Sequence, residues 1–331
     1  MPRMAVCHAC STGFTLYYLD EFGNCPKHEG TGAETPAPHP SQSDRTEPDW
    51  IPSGITEPVY TSEHRIPPAV TAVWDAVVTK PPYGNILLQG PKGVGKTSVC
   101  RALATLESDM TFTKVDAASM QTPGDWLGQA ELVVKDGFAV THFMESEFAG
   151  ALSKPGLIVI DEVNRVRDEM RQILIPLLDA TRQVTNPFTG QVIYRHPECV
   201  IVMTGNIGMQ YTGTSAIDPA FTDRSRIVEL EYVNPELEVE IILGRVPGTP
   251  KATAALLVRY AGEVRAKADT DADWTPLSTR QLLAMAEDMQ NGLSLQTAIK
   301  VSYLNSLSRE GGTGSTRQQA EVLWTGIGGK Q

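Results

Sequence analysis

The 331-residue chain contains no run of 18 apolar residues, the length a helix needs to cross a bilayer. Its start also lacks the charged-then-apolar pattern of a secretory leader. Both absences lead to the expectation of a cytoplasmic protein with no membrane segment. Basic charge is scarce: 28 Lys and Arg stand against 39 Asp and Glu, giving a net charge of −11 and a pI near 5.1. That balance disfavours a broad basic surface for duplex nucleic acid, although a narrow basic pore stays open. Cysteines are few and odd in number, five in all. Cys7, Cys10 and Cys25 crowd the start, while Cys100 and Cys199 sit singly among apolar neighbours. This pattern argues for a metal site and two packed thiols, not for disulfides. No internal repeat is visible.

What is present is an ordinary globular composition, 41% hydrophobic and 20% charged, in a length suited to about two domains plus extras. One stretch organises it: Gly90-Pro91-Lys92-Gly93-Val94-Gly95-Lys96-Thr97. It follows the apolar run Ile86-Leu87-Leu88 and opens into a helical pattern from Ser98 to Leu106. A strand, then G-x-x-x-x-G-K-T, then a helix is the setting of a P-loop. Glycines let backbone N–H groups turn inward around a phosphate chain, and the helix N-terminus adds its positive dipole end. Residues 90–98 are thus expected to bind a nucleoside triphosphate. Lys96 is expected to reach the β- and γ-phosphates, and the Thr97 hydroxyl to take a place on Mg²⁺.

Ahead of that unit, Cys7-His8-Ala9-Cys10 is followed by Cys25-Pro26-Lys27-His28. C-x₂-C with C-x₂-H supplies four ligands suited to a closed tetrahedral Zn²⁺ site. Cys7, Cys10, Cys25 and His28 are the expected set, with His8 as a competing ligand. Phe14 to Leu19 and the turn Glu21-Phe22-Gly23-Asn24 suit a small hairpin between the two pairs. About 30 residues hold too little core to fold alone, so metal would supply the missing stability. From 31 to 56 the chain is rich in Pro, Ser and Thr and reads as a linker.

Past the P-loop, Leu157-Ile158-Val159-Ile160-Asp161-Glu162 reads as a buried parallel strand ending in two carboxylates. Asp161 is expected in the Mg²⁺ shell and Glu162 as the general base that polarises the attacking water. Between these landmarks, Glu131–Val134 and Phe138–Thr141 flank a Lys-Asp-Gly turn and predict a hairpin. A second hairpin is predicted around Asn186-Pro187-Phe188-Thr189-Gly190. Arg167 to Gln183 has helical spacing interrupted by Pro176, and Cys199 to Asn206 reads as another buried strand. Asp223-Arg224-Ser225-Arg226 precedes a strand over 227–230, and Asn234-Pro235 marks a boundary. Segments 236–244, 252–266, 279–290 and 295–309 then predict a small all-α domain.

This order of motifs resembles the AAA+ ATPases. The two hairpins are similar to the helix-2 insert and pre-sensor hairpin of the MoxR branch, and Asp161-Glu162-Val163-Asn164-Arg165 to its D-E-x-N-R. Val133 to Gly137 and Thr204-Gly205-Asn206 look like the CobS-type subunit of cobaltochelatase. The resemblance covers about 57–331 and leaves the zinc-like start outside it. It implies an α/β fold: a parallel-sheet core over 57–234 with helices on both faces, an α-helical lid over 235–331, and an added zinc module over 1–30. It further implies that Asn206 orients the lytic water, that Arg224 is an arginine finger given to a neighbour's ATP, and that Arg280 is the lid's sensor. Arg226 is the rival for the finger. A hexameric ring and a partner of the metal-binding VWA type are implied as well. Three functions remain in view: a partner-remodelling ATPase, a nucleic-acid motor, and a nucleotide-gated adaptor. For the motor, Lys135 and Arg195 are the only cations the hairpins offer. Intact Glu162 speaks against the adaptor, since a pure switch has less need of a base.

Overall fold

The computed structural model describes residues 66–106, 110–135, 138–206, 217–310 and 312–328, with the short pair β1 (Met4–Ala5) and β2 (Tyr17–Tyr18). The chain divides into two units, 1–59 and 60–331. In the first, the described residues are β1 and β2, paired antiparallel. The expected zinc ligands Cys7, Cys10, Cys25 and His28 lie outside the described residues.

The second unit is built on five parallel strands. In chain order they are β3 (Asn85–Gly90), β4 (Thr111–Asp116), β7 (Gly156–Asp161), β10 (Cys199–Asn206) and β11 (Arg226–Glu229). Across the sheet they run β11-β3-β10-β7-β4. The central strands are continuous apolar runs because both faces are covered, the usual mark of a parallel sheet. Alternation along each strand sorts the side chains. Ile158, Ile160, Ile201 and Met203 pack with Trp126 of α3 (Pro123–Leu127), Phe148 of α4 (Glu147–Leu152) and α5 (Asp168–Leu178). Leu157, Val159, Val200 and Val202 face α1 (Pro68–Val78) and α2 (Lys96–Ala104). Helices on both faces of a parallel sheet, expected from the resemblance, are what the chain forms. Cys100 and Cys199 are buried in these layers as free thiols, as the sequence suggested.

Both predicted hairpins form. β5 (Gln129–Lys135) pairs with β6 (Phe138–Met144), and Leu132, Val134 and Phe138 on it are exposed. β8 (Gln183–Thr185) pairs with β9 (Val192–Tyr194), leaving Phe188 and Tyr194 exposed. The turn of the second is held by buried Asn186. Its Oδ1 accepts from the N–H of Phe188 and Thr189, and its Nδ2 donates to Leu127 O. That is the local bonding that makes Asn a turn former.

Arg195 overturns one expectation. It was a candidate for gripping a nucleic-acid strand, yet only 3% of it is exposed. Its guanidinium donates to Cys199 O, Leu177 O, Gly84 O and Tyr83 O, and to Asn85 Oδ1. Burial pulls it down to about 10 from the ordinary arginine value. Arg195 ties the foot of the second hairpin to the strand ends of the core and is not available to a ligand.

After α6 (Pro219–Asp223) and β11, the helical region comprises α7 (Pro235–Arg245), α8 (Lys251–Ala268), α9 (Thr279–Gln290), α10 (Leu295–Ser302) and α11 (Thr316–Gly326). Its separate core gathers Leu257, Tyr260, Trp274, Met285, Ile299 and Trp324, among others. Two boundaries differ from the sequence reading. The helix expected over 295–309 stops at Ser302 because Tyr303 leaves helical geometry, buries its ring and donates its hydroxyl to Thr275 O. A further helix, α11, follows a glycine-rich break, capped by Ser315. Among the described residues no helix is long and apolar enough to cross a membrane.

Candidate active site

Strand order brings the site together. β10 lies between β3 and β7, with Asn206 in register with Gly90, so the C-terminal ends of three strands converge. Ligands of open parallel sheets bind at such strand ends. The P-loop leaves β3 at Gly90 and turns into α2 at Gly95, whose φ of 96° is left-handed and suits glycine. Gly93 also has positive φ, and a Cβ there would lie 2.5 Å from Ser278 Cβ. No side chain caps α2, so its first N–H groups are turned toward the loop for an anion.

Lys96 is buried, and its Nζ donates to Gly90 O at 2.8 Å, Pro91 O at 2.9 Å and Asn206 Oδ1 at 2.8 Å. The other end of that amide, Nδ2, donates to Glu162 Oε1 at 3.2 Å. Asn206 therefore links the P-loop lysine to the carboxylate expected to be the base. The second Glu162 oxygen accepts from Arg165 Nε at 2.7 Å. Glu162 itself sits at φ 56°, a left-handed conformation that a side chain adopts at some cost. Its N–H donates to Thr204 Oγ1 at 3.1 Å.

Asp161 ends β7 beside the P-loop. Thr97 Oγ1 donates to its Oδ2 at 3.2 Å, Lys114 Nζ pairs with the same oxygen at 2.9 Å, and Thr204 donates to Oδ1. Burial pushes the Asp161 carboxyl up, but the hydrogen bonds from Thr204, Lys114 and Thr97 and the Lys114 charge outweigh it. The group is held below the ordinary carboxylate range and stays ionised. A hydroxyl and an ionised carboxylate side by side form the hard-oxygen set that Mg²⁺ takes. When bound, that ion would neutralise charge on the β- and γ-phosphate oxygens. Among the described residues no cluster of three or more His, Cys, Asp or Glu is built to hold a metal by itself.

The lysine carries a pH dependence. Burial lowers the Lys96 ammonium to about 8, against the opposing pull of Asp161 and Glu162, and the charge of Arg280 adds to the lowering. A triphosphate beside it favours the protonated form. Binding then takes up a proton only where the protein alone has lost it, above the lowered value. Nucleotide affinity should fall by up to about tenfold per pH unit above about 8. Titration with a fluorescent ATP analogue measures this, and a profile still flat near pH 9.5 would contradict it.

The other expected residues are placed as follows. Exposed Arg280 stands in the first turn of α9, its Cβ 3.8 Å from where a Gly93 Cβ would be. Arg224, the finger implied by the resemblance, is engaged within its own chain. Its Nε pairs with Asp179 Oδ1 at 2.5 Å and its Nη1 donates to Ala220 O. Arg226 lies over Gly84. Sequence reasoning missed Lys114, the hydroxyl role of Thr204 and the Arg165 partner of Glu162. Arg165 alone carried a signal, since three residues after Glu162 puts it one tight turn on.

Residues 85–225 match the AAA domain family, dynein-related subfamily, and residues 238–320 match the CbbQ/NirQ/NorQ C-terminal family. An uncharacterized protein of Staphylococcus haemolyticus is 26% identical over 235 residues, covering 68% of this chain and 85% of that protein. The uncharacterized protein YojN of Bacillus subtilis is 27% identical over 178 residues, 52% of this chain and 56% of its own length. Midasin of Dictyostelium discoideum is 28% identical over 219 residues, 65% of this chain but 4% of midasin. The converging strand ends, the P-loop geometry and the two matched segments together support an AAA+ ATPase of the MoxR/CbbQ type.

Proposed function

We propose that this chain hydrolyses ATP within a ring, most simply a hexamer, and uses the energy to remodel or activate a partner protein. One observation supports the hydrolytic part: Asn206 joins Lys96 to Glu162, so the proposed phosphate-binding cation and the proposed base share one amide. In this reading Lys96 holds the β- and γ-phosphates, Glu162 takes the proton from water as it attacks, and Asn206 orients that water. Each Glu162 oxygen accepts one hydrogen bond, from Asn206 or Arg165, and keeps a second lone pair for the proton. Arg224 from a neighbouring subunit stabilises the charge on the transferred phosphoryl group, and Arg280 does so from the lid. Two exposed hairpins, with Phe138 and Phe188 at their turns and Leu132 and Tyr194 along their strands, suit an extended polypeptide better than a nucleic-acid strand, since Arg195 is buried. A VWA-type protein is the partner class proposed, and the cytoplasm the compartment.

Ring assembly has a direct test. Specific ATPase activity should rise with protein concentration and level off as sedimentation shows the assembled species. Activity independent of concentration in a monomeric protein would contradict it.

The start of the chain is proposed to bind one Zn²⁺ through Cys7, Cys10, Cys25 and His28. Elemental analysis after thiol-protected, metal-replete purification should find about one equivalent, as expected for a four-ligand site. Less than about half an equivalent would contradict the site.

A further inference from the structure

A charged joint lies where the sheet domain meets the helical region. Glu238 of α7 is 1% exposed. A carboxylate in that position is costly unless its lone pairs are filled. Three bonds reach both oxygens: Arg265 of α8 donates from Nη1 to Oε2 and from Nη2 to Oε1, both at 2.8 Å, and Thr279 Oγ1 donates to Oε1 at 2.6 Å. The third edge of Arg265, Nε, donates to Leu277 O at 2.8 Å. The flat face of the guanidinium lies 3.7 Å from the ring centre of Tyr232, within cation–π range. Arg265 thus has its edges and a face committed.

The joint reaches the nucleotide site from two directions. Tyr232 donates its hydroxyl to Lys92 O at 3.1 Å, inside the P-loop. Thr279 opens α9, whose N-cap Ser278 touches the P-loop at Gly93. The next residue is Arg280. A fork of hydrogen bonds holds direction as well as distance, which apolar packing does not. A displacement of the peptide at Lys92 and Gly93 is therefore passed to the first turn of α9.

We infer that Tyr232, Arg265 and Glu238 form a strut that reads the P-loop and positions Arg280 for hydrolysis. They are positioning residues and act through Arg280. The inference rests on the proposed role of Arg280 as the lid's sensor. It goes beyond that role by naming what places the side chain.

The test is a double-mutant cycle in the full-length protein. Tyr232→Phe removes the hydroxyl and leaves the ring under Arg265. It should lower kcat by roughly 2- to 12-fold, the size of one hydrogen bond, with KM for ATP changed by less than about twofold. Arg265→Lys keeps the charge but loses the fork and should act in the same direction. In an Arg280→Ala background, Tyr232→Phe should have no further effect on kcat, because coupled residues are not additive. Full additivity, or unchanged kcat in Tyr232→Phe, overturns the strut while leaving the sensor role standing. Unchanged kcat in Arg280→Ala overturns the sensor role, and the strut falls with it.

Discussion

Glu162→Gln should bind ATP like the parent chain and hydrolyse it at least about 10²-fold more slowly, the usual cost of removing a general base. The amide keeps a carbonyl oxygen for the Asn206 Nδ2 bond, so the geometry of Lys96 and Asn206 should persist. What is lost is an oxygen basic enough to take the proton. Lys96→Ala should behave differently and lose nucleotide affinity, because its ammonium is the buried cation of the P-loop. Equilibrium binding and single-turnover hydrolysis on the two variants separate these effects. Normal turnover in Glu162→Gln would show that the carboxylate directly after β7 is not the base.

Arg224→Ala is expected to have the larger kinetic effect. Arginine fingers contribute about 10³–10⁵ to phosphoryl-transfer rates by stabilising charge on the equatorial oxygens. Within one chain Arg224 is paired with Asp179, and both side chains are partly exposed. Such a pair contributes about 0–1 kcal/mol to folding. Arg224→Ala should therefore remain folded, with a melting temperature near that of the parent, and bind ATP, yet hydrolyse it poorly. If the arginine served only its salt bridge, the small stability change would appear without the kinetic loss. Should Arg224→Ala keep full activity, Arg226 is the next finger to test.

The parts of the site that were legible in the sequence are those written as contiguous strings. Gly90 to Thr97 and Leu157 to Glu162 each combine an apolar strand with its functional end, so position in the fold follows from order in the chain. Asn206 was legible for the same reason, at the end of Cys199–Asn206. Lys114 and Thr204 were not, because each reaches Asp161 across the sheet, and a lysine or threonine in a strand has no local signature. Arg195 was misread because a cation in a hairpin usually faces water. Here Arg195 follows β9 directly and turns its guanidinium onto the backbone carbonyls of Cys199, Leu177 and Gly84. The joint at Glu238 was invisible for a further reason. Its members, 232, 238, 265 and 279, come from separate segments and meet only when the helices pack.

The claim that this is an assembled ATPase with sites shared between subunits is tested most directly by mixing variants. Lys96→Ala subunits lack a working P-loop but keep Arg224; Arg224→Ala subunits have the reverse defect. Each alone should be nearly inactive. Co-assembled in equal amounts, some interfaces pair an intact P-loop with an intact finger, and ATP hydrolysis should rise well above the sum of the separate preparations. Mixtures that sediment as joint assemblies yet never exceed that sum, at any ratio, would contradict the account.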